Sequence, residues 1–325
     1  MPCVMVHMLV AREVAEAWKQ TPSEAPVDLR TRSALHAFYH GALAPDMGFA
    51  PGSDRFVSDL AHHLATGDLA RALLARSRDE VERAFAYGWL THVVSDAELH
   101  PLVGRAMGER VLGDRDVRMN THDDLEAHVS IEVGLDAVLQ ERVPSVPNPP
   151  YRALEPRRLQ PLSDALEETF GLRWPVPELH ATHLRTARLF ALWPLGLRLL
   201  SRGMSGDGER AGAVARGVRR GLTFLAARSG AGAAVTGYLR ASTPRSWLFE
   251  TVAERVRALP KRFRGVLGEG VRALGNPSLE TGGPAGPGQG HPVADRVAAK
   301  LASRQRAKGT RETPAFGTGR ADAVV

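Results

Sequence analysis

Helical periodicity is the feature that most restricts the fold of this chain. Ala, Leu, Arg and Glu recur at three- and four-residue spacing, whereas long alternating runs of Val, Ile and aromatic residues do not occur. The first pattern is typical of helices with one buried face, and the second would indicate strands. We therefore expect an all-α, multi-helix bundle. The predicted helices cover residues 4–19, 31–41, 54–65, 68–76, 79–107, 121–142, 161–170, 178–202, 208–229 and 247–274.

Composition divides the chain into four stretches. Residues 1–143 form a histidine-rich helical domain, and residues 144–156, PSVPNPPYRALEP, form a proline-rich connection. Residues 157–275 are predicted to be a helical extension that packs on the first part. Residues 276–325 are rich in Gly, Pro, Lys and Arg and contain few large apolar residues, so we expect a disordered basic tail.

Charge and cysteine content limit the chemistry. The net charge of +6 averages an acidic part, residues 1–200, and a basic part, residues 201–325, with 21 Lys or Arg against 9 Asp or Glu. The single cysteine, Cys3, excludes an intramolecular disulfide and paired-cysteine zinc sites. Any metal must therefore be held by His and carboxylates, and nine of the 12 histidines lie in the first 128 residues.

Targeting and membrane signals are weak. The apolar start of the chain is interrupted by His7, lacks preceding basic residues and is followed at once by Glu13. The apolar stretch 189–200 contains Pro194 and Arg198 and is too short to span a bilayer. These features predict a soluble, cytoplasmic protein.

Two helical segments carry metal-ligating side chains at one-turn spacing. In GWLTHVVSDAELHP, His92, Asp96 and His100 share one helix face. In HVSIEVGLD, His128 and Glu132 repeat this spacing, with Asp136 one turn further. Ligands one turn apart reach one ion with little backbone strain. Two such faces together supply more ligands than the four that a single zinc ion binds. The spacing therefore predicts a multinuclear site.

Further candidates precede these helices. Asp46 follows Pro45 in GALAPDMGF, where the proline and Gly48 favour a short rigid loop. His62 and His63 lie on a short predicted helix before a Thr-Gly break, and His7 lies on the first helix.

These motifs together resemble the zinc-dependent phospholipase C family, which shares its fold and trinuclear site with the S1/P1-type nucleases. The resemblance rests on five motifs in the family's order and covers about residues 1–140. They are VHMLVAREV, GALAPD, HHLATGDL, GWLTHVVSDAELHP and HVSIEVGLD. It implies a helical bundle of that type and zinc-dependent hydrolysis of a phosphodiester, as in phospholipase C.

The resemblance also implies roles for individual residues. A first zinc would be held by Asp46, His62, His92 and Asp96. Asp96 would bridge to a second zinc on His7, and a third zinc would be held by His100, His128 and Glu132. His62 is preferred to His63 because its distance to the Thr-Gly break is similar to the family's spacing, and Asp46 is the implied general base.

The number of ions stays open between two and three. Secreted members of that family use a processed N-terminal residue as a zinc ligand, whereas this chain begins Met1-Pro2 with six residues before His7. The second zinc would then be weaker, absent or completed by water. Unbound Glu98 or Asp123 are alternatives to Asp46 for proton transfer.

Two other interpretations compete with this one. Phosphohydrolases of the HD class combine an early His, a His-Asp pair and a distant Asp on an all-α fold, and His122-Asp123 is such a pair. That interpretation leaves His92, Asp96 and His100 without a role. A noncatalytic metal-binding scaffold protein would keep the ligands for stability alone.

The basic C-terminal part also allows two interpretations. Residues 211–230 and 251–274 place Arg and Lys beside apolar residues at helical spacing. Such helices could contact an anionic membrane or nucleic acid, or they could pack on the metal-binding part as a solvated bundle. The second interpretation is preferred.

Overall fold

The computed structural model describes residues 3–50, 52–143, 145–204, 244–289 and 291–307. These residues form helices and contain no strands, so the predicted all-α class is confirmed. The helices are α1 (Val4–Gln20), α2 (Arg32–Leu43), α3 (Arg55–His63), α4 (Thr66–Arg76), α5 (Glu80–Leu112), α6 (Leu125–Arg142), α7 (Gln160–Phe170), α8 (Val176–Met204), α9 (Ser246–Gly268) and α10 (Pro292–Ala307). The predicted helix 208–229 lies outside the described residues.

Helix α5 is the 33-residue centre of the bundle. Asp79 caps its start and accepts hydrogen bonds from the backbone N–H groups of Val81 and Glu82, as an aspartate directly before a helix commonly does. Helix α2 packs closely on α5 because glycines lie at the contact. A Cβ at Gly88 would lie 2.0 Å from the carbonyl oxygen of Phe38, so a larger residue would push the two helices apart.

A buried aspartate anchors the start of α1. Asp136 of α6 accepts hydrogen bonds from the backbone N–H groups of Met5 (3.0 Å) and Val6 (3.3 Å). Its other oxygen accepts one from Trp193 Nε1 at 2.7 Å. Backbone N–H groups in the first turn of a helix lack partners within the helix, and Asp136 Oδ1 accepts from two of them, while burial raises the pKa of this carboxyl group to about 8. This contact fixes the helix turn that carries His7 beside α5 and α6.

The apolar core is continuous from α1 to α10. Phe170 of α7, Phe263 of α9 and Leu301 of α10 belong to the same buried cluster as Trp89 of α5. The predicted domain boundaries at residues 143 and 157 stay predictions. None of the described helices combines the length and apolar character needed to cross a bilayer.

Helix α9, in the basic C-terminal part, packs on the metal-binding part of the chain and exposes its cationic side chains to solvent, as the preferred interpretation of its sequence predicts. Its apolar face is buried, with Phe263 5.7 Å from Trp18 of α1 between ring centroids, while Arg257 and Lys261 are exposed. The other basic stretch, residues 211–230, lies outside the described residues.

The predicted start of the disordered tail at residue 276 is wrong. Residues 276–289 form ordered turns and residues 292–307 form α10, which packs on α3. The side chain of Asn276 accepts hydrogen bonds from the N–H groups of Gly67 and Asp68, both at 2.9 Å. These partners are more than 200 residues away in the sequence. Because such distant contacts stabilise the segment, its Gly- and Pro-rich composition did not reveal its structure. Residues 308–325 lie outside the described residues.

Candidate metal centre

The side chains of one face of α5 line the centre of the site. His92 and Asp96 are buried, and His92 Nε2 lies 3.1 Å from Asp96 Oδ2. His100, one turn further, has its Nδ1 3.8 Å from the same oxygen. The helical spacing therefore brings two imidazoles and a carboxylate together, as the sequence predicts.

Helix α1 adds His7 to this face. His7 Nε2 lies 3.1 Å from Asp96 Oδ1, and its ring stacks on His92 with 4.0 Å between centroids. The hydroxyl of Ser95 lies 3.2 Å from His7 Nδ1 and orients the ring. His7, His92 and Asp96 thus form a first group of atoms that could hold a metal ion.

A second group forms where α2 and α3 approach α5. Asp46 lies on a short 3-10 helix, Ala44–Phe49, directly after α2, and its Oδ1 is 3.2 Å from His62 Nε2. His92 Nε2 lies 3.9 Å from Asp46 Oδ2. That buried oxygen has no hydrogen-bond partner among the described residues, so it is available to a ligand.

A third group joins α5 to α6. Glu132 Oε1 lies 3.2 Å from both His100 Nε2 and His128 Nε2. The backbone carbonyl of Leu279 accepts a hydrogen bond from His100 Nδ1 at 2.7 Å. The ring of His100 is therefore held with Nε2 towards Glu132 by a residue from the segment after α9.

Backbone carbonyls decide which ring nitrogen faces the centre. His92 Nδ1 lies 2.9 Å from the Ala42 carbonyl oxygen, and His62 Nδ1 lies 2.7 Å from that of Ser58. A carbonyl only accepts, so each Nδ1 carries a proton and donates it. In the neutral rings both Nε2 atoms then present lone pairs, although they lie 3.4 Å apart beside carboxylate oxygens. A cation fits this arrangement of facing acceptors.

Electrostatics reinforce this requirement for positive charge. Burial opposes ionisation of Asp96, but the neighbouring His100, His92 and His7 hold its pKa well below the ordinary value. Burial likewise opposes protonation of His100, yet Asp96 and Glu132 raise its pKa to about 10. The carboxylates therefore stay charged at neutral pH, and they draw either protons or a metal ion to the imidazoles.

The three groups border one cavity of about 450 Å³, lined among others by Asp46, Asp96 and His128. Cationic side chains line the same cavity, namely Arg55 of α3 and Arg296 and Lys300 of α10. This volume suits a small-molecule ligand or a lipid head group. The buried carboxylate–imidazole groups can bind a metal ion, and the cationic side chains at the same cavity attract an anionic ligand.

Comparison with protein families agrees with this chemistry. A model of the family described as zinc-dependent phospholipase C matches residues 6–192, more than half of the chain. The chain belongs to this family. No curated protein and no solved structure matches it. The family match and the metal-ligating groups together support a zinc-dependent hydrolase.

The family match is longer than the motifs suggest. The sequence motifs of the zinc-dependent phospholipase C family end near residue 140, whereas the match continues through the proline-rich connection and α7 into α8. Two histidines outside the motifs, His40 and His183, contact the backbone of this connection. His40 Nε2 donates to the Arg152 carbonyl at 2.7 Å, and His183 Nε2 accepts from the Leu154 N–H at 3.2 Å. Both rings are buried and act structurally here.

All eight predicted ligands of the zinc-dependent phospholipase C site lie in the three groups. Their roles as ligands stay predictions. His122 and Asp123 contact each other at 3.2 Å, but they join no metal-ligating group of three among the described residues. Asp123 is exposed, and the Glu98 carboxylate lies 3.2 Å from Arg262 of α9. Neither Asp123 nor Glu98 is among the residues that line the described cavity.

Sequence reasoning missed a fourth group. His63, Glu280 and His291 also bring ligand atoms together, and all three are buried. His63 was considered only as a substitute for His62, and the other two belong to the stretch that was predicted to be disordered. The doublet His62-His63 was the one available signal, since successive residues on a helix point about 100° apart and so face different groups.

Proposed function

We propose that this chain hydrolyses a phosphodiester at a site holding two or three zinc ions. In this proposal Asp46, His62, His92 and Asp96 bind the first ion. Asp96 and His7 bind the second, and the third binds to His100, His128 and Glu132. Substrates of the phospholipase C type, with a phosphate ester next to a head group, are the proposed class.

One observation carries this proposal: ligand atoms of two imidazoles and a carboxylate converge on one point, and in the neutral rings all of them are acceptors. The Nε2 atoms of His62 and His92 face each other and Asp46, while their Nδ1 atoms donate to carbonyls. Imidazole nitrogen and carboxylate oxygen are ligands that zinc prefers. The buried, unpartnered Oδ2 of Asp46 fits the same chemistry.

The chain's own residues would bind the substrate and move the proton. Arg55, Arg296 and Lys300 line the cavity and attract the phosphate. His92 and His62 hold the pKa of Asp46 below its ordinary value, although burial acts against this. Asp46 is therefore ionised at neutral pH and able to accept the proton of an attacking water. Zinc, when bound, would lower the pKa of water towards 7 and neutralise charge on phosphate oxygens.

Metal content combined with turnover tests the proposed function. The purified protein, reloaded with zinc, is expected to hold two or more zinc ions and to cleave bis-p-nitrophenyl phosphate or p-nitrophenyl phosphorylcholine. Asp46→Asn should lower the rate by about 10²-fold or more, because it removes the proton acceptor. Stoichiometric zinc without hydrolysis of lipid, nucleic acid or model ester would contradict the proposal and favour the noncatalytic scaffold.

Zinc content in two pairs of variants distinguishes the proposed site from an HD-type site. We expect His122→Ala and Asp123→Ala to keep the zinc content of the three groups, since neither residue belongs to them. His100→Ala and Glu132→Ala should each lose about one equivalent of zinc, measured by mass spectrometry of the metal. Loss of all zinc in the first pair but not in the second would support an HD-type site instead.

A further inference from the structure

A second cluster of metal-ligating side chains lies beside the proposed zinc site. His63 at the end of α3, Glu280 and His291 place ligand atoms within 4.8 Å of one another. Their exposed fractions are 7%, 8% and 7%, so all three are more than nine-tenths buried. His291 Nε2 lies 2.9 Å from Glu280 Oε2, and the rings of His63 and His291 stack with 5.2 Å between centroids.

This cluster contains polar atoms that the protein itself does not satisfy. His63 Nδ1 and His291 Nδ1 are buried and have no hydrogen-bond partner within the described part of the chain. A buried polar atom without a partner costs about 1–3 kcal/mol. An ion bound to one nitrogen of each ring would give that nitrogen a partner. Two imidazoles and one carboxylate are a donor set that zinc binds, with a fourth position left open.

The carboxylate of the cluster is held in place by its surroundings. The N–H of Thr121 donates a hydrogen bond to Glu280 Oε1. The turn around Glu280 is closed by hydrogen bonds from the Ser278 N–H to the Gly283 carbonyl (2.6 Å) and from the Gly282 N–H to the Ser278 carbonyl (2.8 Å). Such supporting contacts orient ligands before a metal binds.

The cluster is linked to the proposed active site through one residue. The N–H of Leu279 donates to the carbonyl of His62 at 3.1 Å, and its carbonyl accepts from His100 Nδ1 at 2.7 Å. Glu280 is the next residue in the chain. Ligation of Glu280 would therefore hold the segment that orients His100 and that leads into α10 at the cavity.

We propose that His63, Glu280 and His291 form a further binding site for a divalent transition metal, Zn²⁺ in class. Its role is to fasten the segment between α9 and α10 onto the cavity wall. The site lies outside the three groups assigned to hydrolysis, and it does not depend on the chain's being a hydrolase. His122 is a neighbour of the site, with its ring centroid 5.5 Å from that of His291.

Metal counting in variants of the full-length protein tests this site. The protein is stripped with a chelator, reloaded with Zn²⁺, freed of excess metal and analysed by mass spectrometry. Glu280→Gln and His291→Gln should each hold about one zinc fewer than the wild type. His180→Gln and Glu178→Gln are matched controls, because neither residue belongs to a metal-ligating group of the described chain, and they should keep the wild-type count. Equal counts in all four variants and the wild type would overturn the proposal.

A measurement on the wild type guards against variants that fail to fold. In a crystal of the reloaded protein, anomalous scattering at the zinc edge should give a peak at about 2.0–2.2 Å from the ligand atoms of this cluster. Peaks at the other three groups without one here would overturn this site and leave the proposed hydrolytic centre intact. A peak here alone would support this site and contradict the hydrolytic one.

Discussion

Asp96→Ala is expected to remove at least one zinc ion and to lower hydrolysis of a model phosphodiester by about 10³-fold or more. Asp96 belongs to the first group and lies close to histidines of the other two groups. Its Oδ1 lies 3.1 Å from His7 Nε2, and its Oδ2 lies 3.1 Å from His92 Nε2 and 3.6 Å from His62 Nε2. In the proposed assignment, its loss takes negative charge and a ligand from the first and second zinc sites at once.

The effect of Asp96 should exceed that of other carboxylates at the cavity. Asp59 also lines the cavity but pairs with Arg55 at 3.0 Å and belongs to no metal-ligating group of the described chain. Asp59→Asn therefore serves as the matched control and should keep its zinc content. The zinc of the third group should survive in Asp96→Ala, because His100 and His128 still share Glu132. An Asp96→Ala protein with full zinc content and full activity would refute the proposed bridging role.

Removing zinc is expected to destabilise the folded protein strongly. Free metal at 1,000 times its dissociation constant stabilises the native state by about 4 kcal/mol per site. For a chain of this size we expect chelation to lower the melting temperature by about 5–10 °C per site lost. The physical reason is that Asp46, Asp96 and Glu132 are buried carboxylates whose charge needs a cation nearby.

The identity of the metal can be checked in the same experiment. Zn²⁺ added back to the stripped protein should restore the melting temperature, as measured by calorimetry. Mg²⁺ should not, because it prefers oxygen ligands and the groups are rich in imidazole nitrogen. A melting temperature that is the same with chelator and with zinc would show that the groups do not bind the metal in the native state.

Local sequence was sufficient for most helices and for the shared faces. The cap at Asp79 and the buried face of α5 follow from residues within a few positions of each other. One-turn spacing placed His92, Asp96 and His100 on one face, and it placed His128 beside Glu132. A helix repeats every 3.6 residues, so these neighbourhoods exist before any tertiary contact forms.

Residue spacing did not predict how the helices pack against one another. The doublet His62-His63 offered two candidates, and the packing of α3 turns His62 towards Asp46 and His63 towards His291. The resemblance to a known family pointed to His62, but no local pattern distinguished the two. Which side of a short helix meets a partner depends on how the whole bundle packs.

The sequence by itself determined the helical class, the kind of ligand and the faces on which the ligands lie, because these depend on composition and on local helical geometry. Only the tertiary structure decided which faces meet and that residues 276–289 form turns and residues 292–307 form a helix. Glu280 and His291 join His63 across more than 200 residues. The bonds that order this segment come from α3, α4 and α5, so composition alone indicated disorder where distant contacts stabilise a turn and a helix.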